Sequence, residues 1–446
     1  MNRIGYCLVA ALFVVATAQA EVSSRIPVET AELSNGLSIL LIRDHRAPVV
    51  THMVWYRVGA ADDPSGKSGI AHLFEHLMFR GTETTADGAF SKTVARLGGR
   101  DNAFTGYDYT AYFQHIPARA LPVVMAMEAD RMRHLRLDEA TFNTERDVVL
   151  EERALVADGS PPALLGEKMR RRLFAPHPYG VPVIGWRNEI AALTRADALA
   201  FYRRYYAPDN AVLVVAGDMT MDTLLPLARR FYGTLEASRA PRNARAETPA
   251  ARIDWQTPII HRDAGVQQES WRRHYRTARH TPEAAGRFAA LDVATHILGG
   301  GATSRLHKAL VVETGLAAGA ASWTSNVRID HGEIGILVSL AEAGHEDVGA
   351  IVAREIDRLK SELVSPDELH RAMTELTAQF IYAQDSPQTL ARIFGDAAAL
   401  GLAPQDVLDW PSHIRAVSAE EVREAVRDFF DVENSITGYL ERESQS

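Results

Sequence analysis

The chain has 446 residues, of which 46% are hydrophobic and 24% are charged, and its formal net charge is -9. This length exceeds what one hydrophobic core usually supports, so two or more domains are expected. The acidic balance argues against nucleic acid or an anionic membrane surface as a partner, because both bind basic surfaces.

The N-terminus has the three regions of a secretory signal. A single arginine precedes an apolar run from about Cys7 to Val15, and an A-x-A cleavage site ends at Ala20. We therefore predict a signal peptide at 1–20, cleavage after Ala20 and a periplasmic mature protein. Cys7 is the only cysteine in the chain. The mature protein can therefore bind a metal only through His, Asp or Glu side chains.

Hydrophobic periodicity predicts alternating strands and helices in the first half of the chain. In chain order, the predicted elements are a strand hairpin around an Asn-Gly turn (33–44), a buried strand (49–60), a helix (69–82), a strand (110–116), a helical region broken near 136–138 (119–156) and a buried strand (210–218). No stretch after the signal is apolar enough to span a membrane.

The second half repeats this order weakly. Residues 236–255 contain two prolines and few large apolar side chains, which predicts a linker. The elements predicted after it are a strand (267–278), a long helix (282–298) and a last strand whose pattern resembles that of 210–218 (434–441).

These patterns together predict an α+β fold with two homologous halves. We expect each half to be a mostly antiparallel sheet packed against helices, and the halves to form a clamshell around a cleft. The predicted boundaries are an N-terminal domain at 21–235 and a C-terminal domain at 256–446.

Two histidines and a glutamate lie within five residues of the predicted helix "GIAHLFEHLMFRGT" (69–82). At about 100° per residue, His72, Glu75 and His76 fall on one helix face. Two imidazoles one turn apart can share a metal, and a glutamate beside them can serve as a general base. The pattern is the H-x-x-E-H signature of inverted zincins. Short patterns also recur by chance, so a metal-free helix face remains an alternative.

A third metal ligand has to come from another element. The segment "TERDVVLEERAL" (144–155) offers Glu145, Glu151 and Glu152. Glu145 and Glu152 are two helical turns apart and share a face, whereas Glu151 points about 100° away from Glu152. One of the pair could bind metal while the other orients a histidine. Periodicity alone favours the alternative, a solvated acidic face.

Several stretches resemble the pitrilysin and insulinase peptidases, and most of all their short branch of mitochondrial-processing-peptidase type. Glu152 follows His76 by 76 residues. The stretches that carry the resemblance in the first half are "HLFEH", "ERDVVLEE", "GLSILLIRDHRAPVV", "NAFTGYDYTAYF", "HPYG" and "YYAPDNAVLVVAGD". The second half matches more loosely, through "ILGGGATSRLHKAL" and "ETGLA".

The resemblance implies one Zn²⁺ per chain and assigns roles to the residues of the cluster. His72, His76 and Glu152 correspond to the zinc ligands and Glu75 to the general base. Glu145 corresponds to a carboxylate that contacts a zinc-binding side chain without binding zinc itself. Zinc then lowers the pKa of a water molecule, and Glu75 takes its proton and passes it to the leaving amine.

The stretch "NAFTGYDYTAYF" (102–113) corresponds to an edge strand in the family, along which substrate peptides pair as an added strand. The resemblance therefore implies that Asn102 and Ala103 contact the substrate. A turn residue is the alternative interpretation of Asn102, because it follows "GGRD".

The second half lacks two residues of the family pattern. Enzymes of the family place an Arg and a Tyr from this half over the substrate, in a pattern close to L-R-x-x-x-G-L-A-Y. This chain reads "LVVETGLAA", with Val311 at the Arg position and Ala318 at the Tyr position. A degenerate protein is one explanation. We favour a heterodimer, in which a homologous subunit supplies the Arg/Tyr pair.

The sequence thus predicts a zinc-dependent endopeptidase subunit that hydrolyses peptides or unfolded segments in the periplasm. A non-catalytic structural or assembly subunit is the alternative from another class, and the complete zinc motif argues against it. Maturation of one dedicated peptide precursor is a third possibility, which the sequence does not separate from general peptide degradation.

Overall fold

The computed structural model describes residues 26–238, 253–325, 327–341 and 345–443. The predicted signal peptide at 1–20 lies outside the described residues, as do residues 239–252 of the predicted linker. Within the described ranges, no helix has the length and apolar composition needed to cross a membrane.

Six strands form the sheet of the first half. They are β1 (Val28–Glu32), β2 (Ser38–Arg43), β3 (Val49–Tyr56), β4 (Arg100–Thr105), β5 (Thr110–Pro117) and β6 (Ala211–Gly217). Their order is β1-β2-β6-β3-β5-β4, and only β2 and β6 run parallel. The hairpin predicted at 33–44 is formed by β1 and β2, but its first strand, Val28–Glu32, lies before the predicted range. Gly36 in its turn has a φ of 87°, in the left-handed region that favours glycine.

The described part of the first half contains eight α-helices. They are α1 (Ile70–Leu77), α2 (Ala89–Arg96), α3 (Leu121–Arg133), α4 (Glu139–Arg153), α5 (Pro161–Phe174), α6 (Arg187–Ala192), α7 (Arg195–Tyr205) and α8 (Met221–Phe231). The predicted break near 136–138 is confirmed between α3 and α4, where the Asp138 carboxylate accepts the Thr141 N–H and caps α4. The predicted helix at 69–82 is shorter than expected and ends at Leu77.

The second half repeats the topology of the first. Its strands are β7 (Ile259–Asp263), β8 (Ser270–Thr277), β9 (Ala317–Ser325), β10 (Gly332–Leu340) and β11 (Ser435–Arg442). They follow the order β7-β11-β8-β10-β9, with β7 and β11 as the only parallel pair. The order and directions match those of β2-β6-β3-β5-β4. The predicted fold class, two homologous α+β halves with mostly antiparallel sheets, is confirmed.

Six helices complete the second half. They are α9 (Ala285–Gly299), α10 (His345–Ser361), α11 (Pro366–Ala383), α12 (Pro387–Ala399), α13 (Pro404–Ala416) and α14 (Ala419–Phe429). The predicted clamshell arrangement is confirmed. A cavity of 410 Å³ lies between the halves, bounded by the β4–β5 turn on one side and by residues of α9 and α13 on the other. The domain boundaries at 21–235 and 256–446 remain predictions.

Each half contributes one helix to the sheet of the other half. Helix α12 packs on the face of the first sheet that faces away from α1, where Leu390 and Phe394 meet Trp55. Conversely, α5 of the first half packs on the second sheet, where Met169 meets Leu440. Burial of these apolar side chains ties the two halves together.

The packing of α12 depends on Gly395, because a Cβ at this position would collide with the indole nitrogen of Trp55. We therefore expect Gly395→Ala to destabilise the protein by about 1–3 kcal/mol, as overpacking of a core does. Gly166→Ala on α5 is the matched control, since a Cβ there meets nothing within 4 Å. It should be neutral or slightly stabilising. Equal denaturation midpoints for the two variants would contradict this packing.

Candidate metal centre

Helix α1 packs into the hydrophobic core of the first half. Its buried residues Ile70, Leu73, Phe74 and Leu77 recur at helical spacing and face the core. The opposite face therefore carries the histidines and the glutamate of the H-x-x-E-H motif.

The start of α1 is fixed by the Asp63 carboxylate. Asp63 accepts the N–H of Gly69 at 2.7 Å and that of Ala71 at 3.1 Å. These N–H groups have no partner within the helix, so the carboxylate satisfies donors that would otherwise be buried without hydrogen bonds. Gly69 has a φ of 87°, and a Cβ there would overlap the backbone at Ile184. Both features set the orientation of α1 and were not predicted from the sequence.

Three side chains from α1 and α4 converge. Glu152 Oε2 lies 3.3 Å from His76 Nε2 and 3.8 Å from His72 Nε2. The three ligand atoms all lie within 4.8 Å of one another. In the part of the chain that the structure describes, this is the only group of three or more His, Cys, Asp or Glu side chains that could hold a metal ion.

The donor set fits zinc. Zinc accepts imidazole nitrogens and carboxylate oxygens, and catalytic sites have three protein ligands and one open position. Burial, with the charge of His76 as a smaller cause, lowers the pKa of His72 to about 4. His72 is therefore neutral at physiological pH, which is the form that binds a metal. The Nδ1 atom of His72 is buried and makes no hydrogen bond within the described residues.

Glu145 lies on the Nδ1 side of the His76 imidazole. Its side chain is 3% exposed, with Oε2 3.7 Å from His76 Nδ1, and it also pairs with Arg80. Burial alone would raise the pKa of Glu145, but the nearby imidazole of His76 and the charge of Arg80 lower it. For His76, burial is likewise outweighed by the carboxylates of Glu145 and Glu152, which raise its pKa. Glu145 therefore orients the imidazole so that Nε2 points towards Glu152.

Glu75 lies beside the three converging side chains without joining them. Its Oε2 accepts a hydrogen bond from Thr105 Oγ1 at 2.5 Å. Burial raises the pKa of Glu75, although the bond from Thr105 opposes this shift. A raised pKa brings a carboxylate closer to the range in which it can both take and return a proton. Thr105 was missed at the sequence level, because only the tertiary fold brings the end of β4 against α1.

Asn102 and Ala103 lie on β4, the edge strand at one end of the first sheet. The expectation of an edge strand in this stretch is thus confirmed, and the β-strand conformation of Asn102 contradicts the alternative of a turn residue. The Oδ1 atom of Asn102 accepts the Ala103 N–H at 2.8 Å. Contact of these two residues with a substrate stays a prediction.

Val311 and Ala318 lie in the second half, outside the cluster. Val311 belongs to a π-helical segment, His307–Glu313, and packs against the second core, while Ala318 is exposed on β9. The helices that correspond to α1 and α4 by topology are α9 and α11. They carry a single His–Glu pair, with His296 Nε2 2.7 Å from Glu375 Oε2. No third metal-binding side chain joins this pair within the described residues.

Two protein-family models match the chain. "Insulinase (Peptidase family M16)" matches residues 38–185, which include the cluster, and "Peptidase M16 inactive domain" matches residues 192–376. Among curated proteins, the zinc protease PqqE of Helicobacter pylori is 28% identical over 426 residues, which is 92% of each chain.

Solved structures agree with this similarity. The crystal structure of a protease from Helicobacter pylori superposes with a TM-score of 0.84 at 27% identity, covering 93% of this chain and 99% of that one. The periplasmic protease PqqL from Escherichia coli superposes with a TM-score of 0.76 at 19% identity. That match covers 93% of this chain but 47% of PqqL, so this chain corresponds to about half of the longer protein.

Proposed function

The chain belongs to the M16 peptidase family of insulinase and pitrilysin, and from this premise we propose that it is a zinc-dependent endopeptidase subunit that hydrolyses peptides or unfolded polypeptide segments. The observation that carries the proposal is the convergence of His72, His76 and Glu152, with the Glu75 carboxylate beside them. Homologues of this chain are named zinc proteases.

In this proposal His72, His76 and Glu152 hold one Zn²⁺ per chain. Zinc, when bound, supplies Lewis acidity to the scissile carbonyl and to the attacking water. Glu75 accepts a proton from that water and donates it to the amine that leaves as the peptide C–N bond breaks. Glu145 keeps His76 oriented for binding.

The substrate pairs with β4 in this proposal. An extended peptide added to this edge forms main-chain hydrogen bonds whatever its side chains, which suits broad selectivity. Asn102 and Ala103 lie in the middle of the strand and are the residues proposed to contact it. Asn102 Oδ1 accepts the Ala103 N–H. The Asn102 side chain therefore has to change conformation before a substrate carbonyl can accept that N–H.

We further propose a periplasmic location, since PqqL is described as a periplasmic protease and the N-terminus has the pattern of a secretory signal. The homologous partner subunit is part of the same proposal. Val311 and Ala318 occupy positions at which a catalytic Arg and Tyr are expected, and the match to half of PqqL is consistent with an enzyme built from two such chains.

The purified chain alone should therefore bind one zinc ion and cleave an unstructured peptide slowly. Adding a homologous chain that carries Arg and Tyr at the matching positions should raise the rate, and a chelator should abolish it until zinc is restored. Elemental analysis and a fluorogenic peptide assay measure both properties. A purified chain without zinc would contradict the metal site and favour a structural subunit, whereas high activity without a partner would contradict only the heterodimer.

A further inference from the structure

Thr105 is the last residue of β4 and contacts the proposed general base directly. Its hydroxyl donates to Glu75 Oε2 at 2.5 Å. Within the described ranges, this is the only hydrogen bond of the Glu75 carboxylate. Hydrogen bonds to charged acceptors are shorter and stronger than those between neutral groups. Strand β4, and not helix α1, therefore supplies the hydrogen bond that orients the Glu75 carboxylate.

The position of Thr105 is fixed by its neighbours in the hairpin. Thr110, opposite Thr105 on β5, is buried and donates its hydroxyl to the Val58 carbonyl at 3.0 Å. The turn after Thr105 accepts two main-chain bonds, from Ala60 N–H to Gly106 O and from Ala61 N–H to Tyr107 O. The end of β4 is therefore tied to the segment at 58–61.

The same segment leads directly into the anchor of α1. A Cβ at Gly59 would overlap the carbonyl oxygens of the turn, so the close approach of turn and segment requires glycine at this position. Four residues later, Asp63 accepts the first N–H groups of α1. The stretch from residue 58 into α1 therefore contacts the end of β4 and also carries Glu75, so it fixes the position of Thr105 relative to Glu75.

Thr105 also presents its main chain to the open edge of the sheet. The N–H of Gly106 donates to the Tyr109 carbonyl at 2.8 Å, and hydrogen-bonded and non-hydrogen-bonded pairs alternate along antiparallel strands. The N–H and C=O groups of Ala103 and Thr105 therefore point away from β5. The bond from the Ala103 N–H to its neighbour's side chain agrees with this direction.

We propose that Thr105 is a positioning residue that couples docking of a peptide on β4 to the orientation of Glu75. This inference rests on the proposed function of the same site. A peptide strand that bonds to the main chain of Thr105 adds to the contacts that already hold the end of β4, and with it the hydroxyl that holds Glu75 Oε2. The other oxygen of Glu75 is then directed at the proton that it transfers.

The test is the variant Thr105→Val, which keeps the shape of the side chain and removes the hydroxyl. We expect kcat to fall about 10- to 100-fold, the effect of a misplaced catalytic group, while KM changes by less than about twofold. Thr105→Ser retains the hydroxyl and should recover most of kcat. Zinc content should remain one per chain in both variants.

A matched control is Thr51→Val, which removes a strand hydroxyl that contacts His115 at 3.1 Å, in a strand pair that does not include β4. It should leave kcat unchanged. In the Glu75→Gln background, adding Thr105→Val should cause no further loss, because Thr105 acts only through Glu75.

Wild-type kcat in Thr105→Val, equal impairment of the Ser and Val variants, or an effect on KM alone would overturn the inference. An additive loss in the double variant would also overturn it. If instead Glu75→Gln alone retained full activity, the proposed function would fail, and the two failures are therefore distinguishable.

Discussion

Glu75→Gln is expected to lower kcat for peptide cleavage by about 10²- to 10⁴-fold, the usual contribution of a general base. The amide has the size of the carboxylate but cannot take a proton from water. Glu75 lies outside the three side chains that converge on the candidate metal position, so bound zinc should remain at one per chain.

The measurement is a steady-state rate with an unstructured fluorogenic peptide, combined with elemental analysis of the same preparation. Thermal unfolding serves as the control for the fold and should be unchanged. Cleavage by Glu75→Gln at the wild-type rate would exclude Glu75 as the base. Loss of zinc together with loss of rate would instead place Glu75 among the ligands.

Glu152→Gln is expected to remove zinc and activity together. Glu152 is the only one of the three converging side chains that comes from α4, and an amide oxygen is a much weaker zinc ligand than a carboxylate. Residues that merely support ligands contribute about 10- to 100-fold in metal affinity, so loss of a ligand itself should exceed this range.

Its matched control is Glu151→Gln, a change of the same charge on the adjacent residue. Glu151 is exposed and points about 100° away from Glu152 around α4. Zinc content and cleavage should match the wild type in this variant. Equal zinc loss in both variants would show that the overall negative charge of α4 retains the metal, and not one specific ligand.

The candidate site illustrates how far sequence patterns reach. The arrangement of His72, Glu75 and His76 follows from helical periodicity, because residues three and four apart share a helix face. The pairing of Glu145 with Glu152 follows in the same way. Periodicity alone favoured a solvated acidic face, and the family resemblance implied instead that this face meets the histidines. In the structure α4 packs beside α1, and Glu145 is buried against Arg80.

The packing of α5 and α12 on the sheet of the opposite half cannot be predicted from local sequence patterns. Helices α5 and α12 each have an apolar face, but an apolar face does not specify which sheet covers it. The structure places each helix on the sheet of the opposite half. Contacts such as that of Gly395 with Trp55 join residues 340 positions apart, so spacing along the chain carries no information about them.

By itself the sequence determined the two α+β halves and the H-x-x-E-H motif of this M16 chain. These features arise from interactions between residues a few positions apart, or from motifs that fix residue types at set spacings. Only the tertiary structure decided that Thr105 holds Glu75, that Asp63 anchors α1 and that each half covers the other's sheet. These contacts join separate elements, and their geometry results from packing the whole chain into one interior.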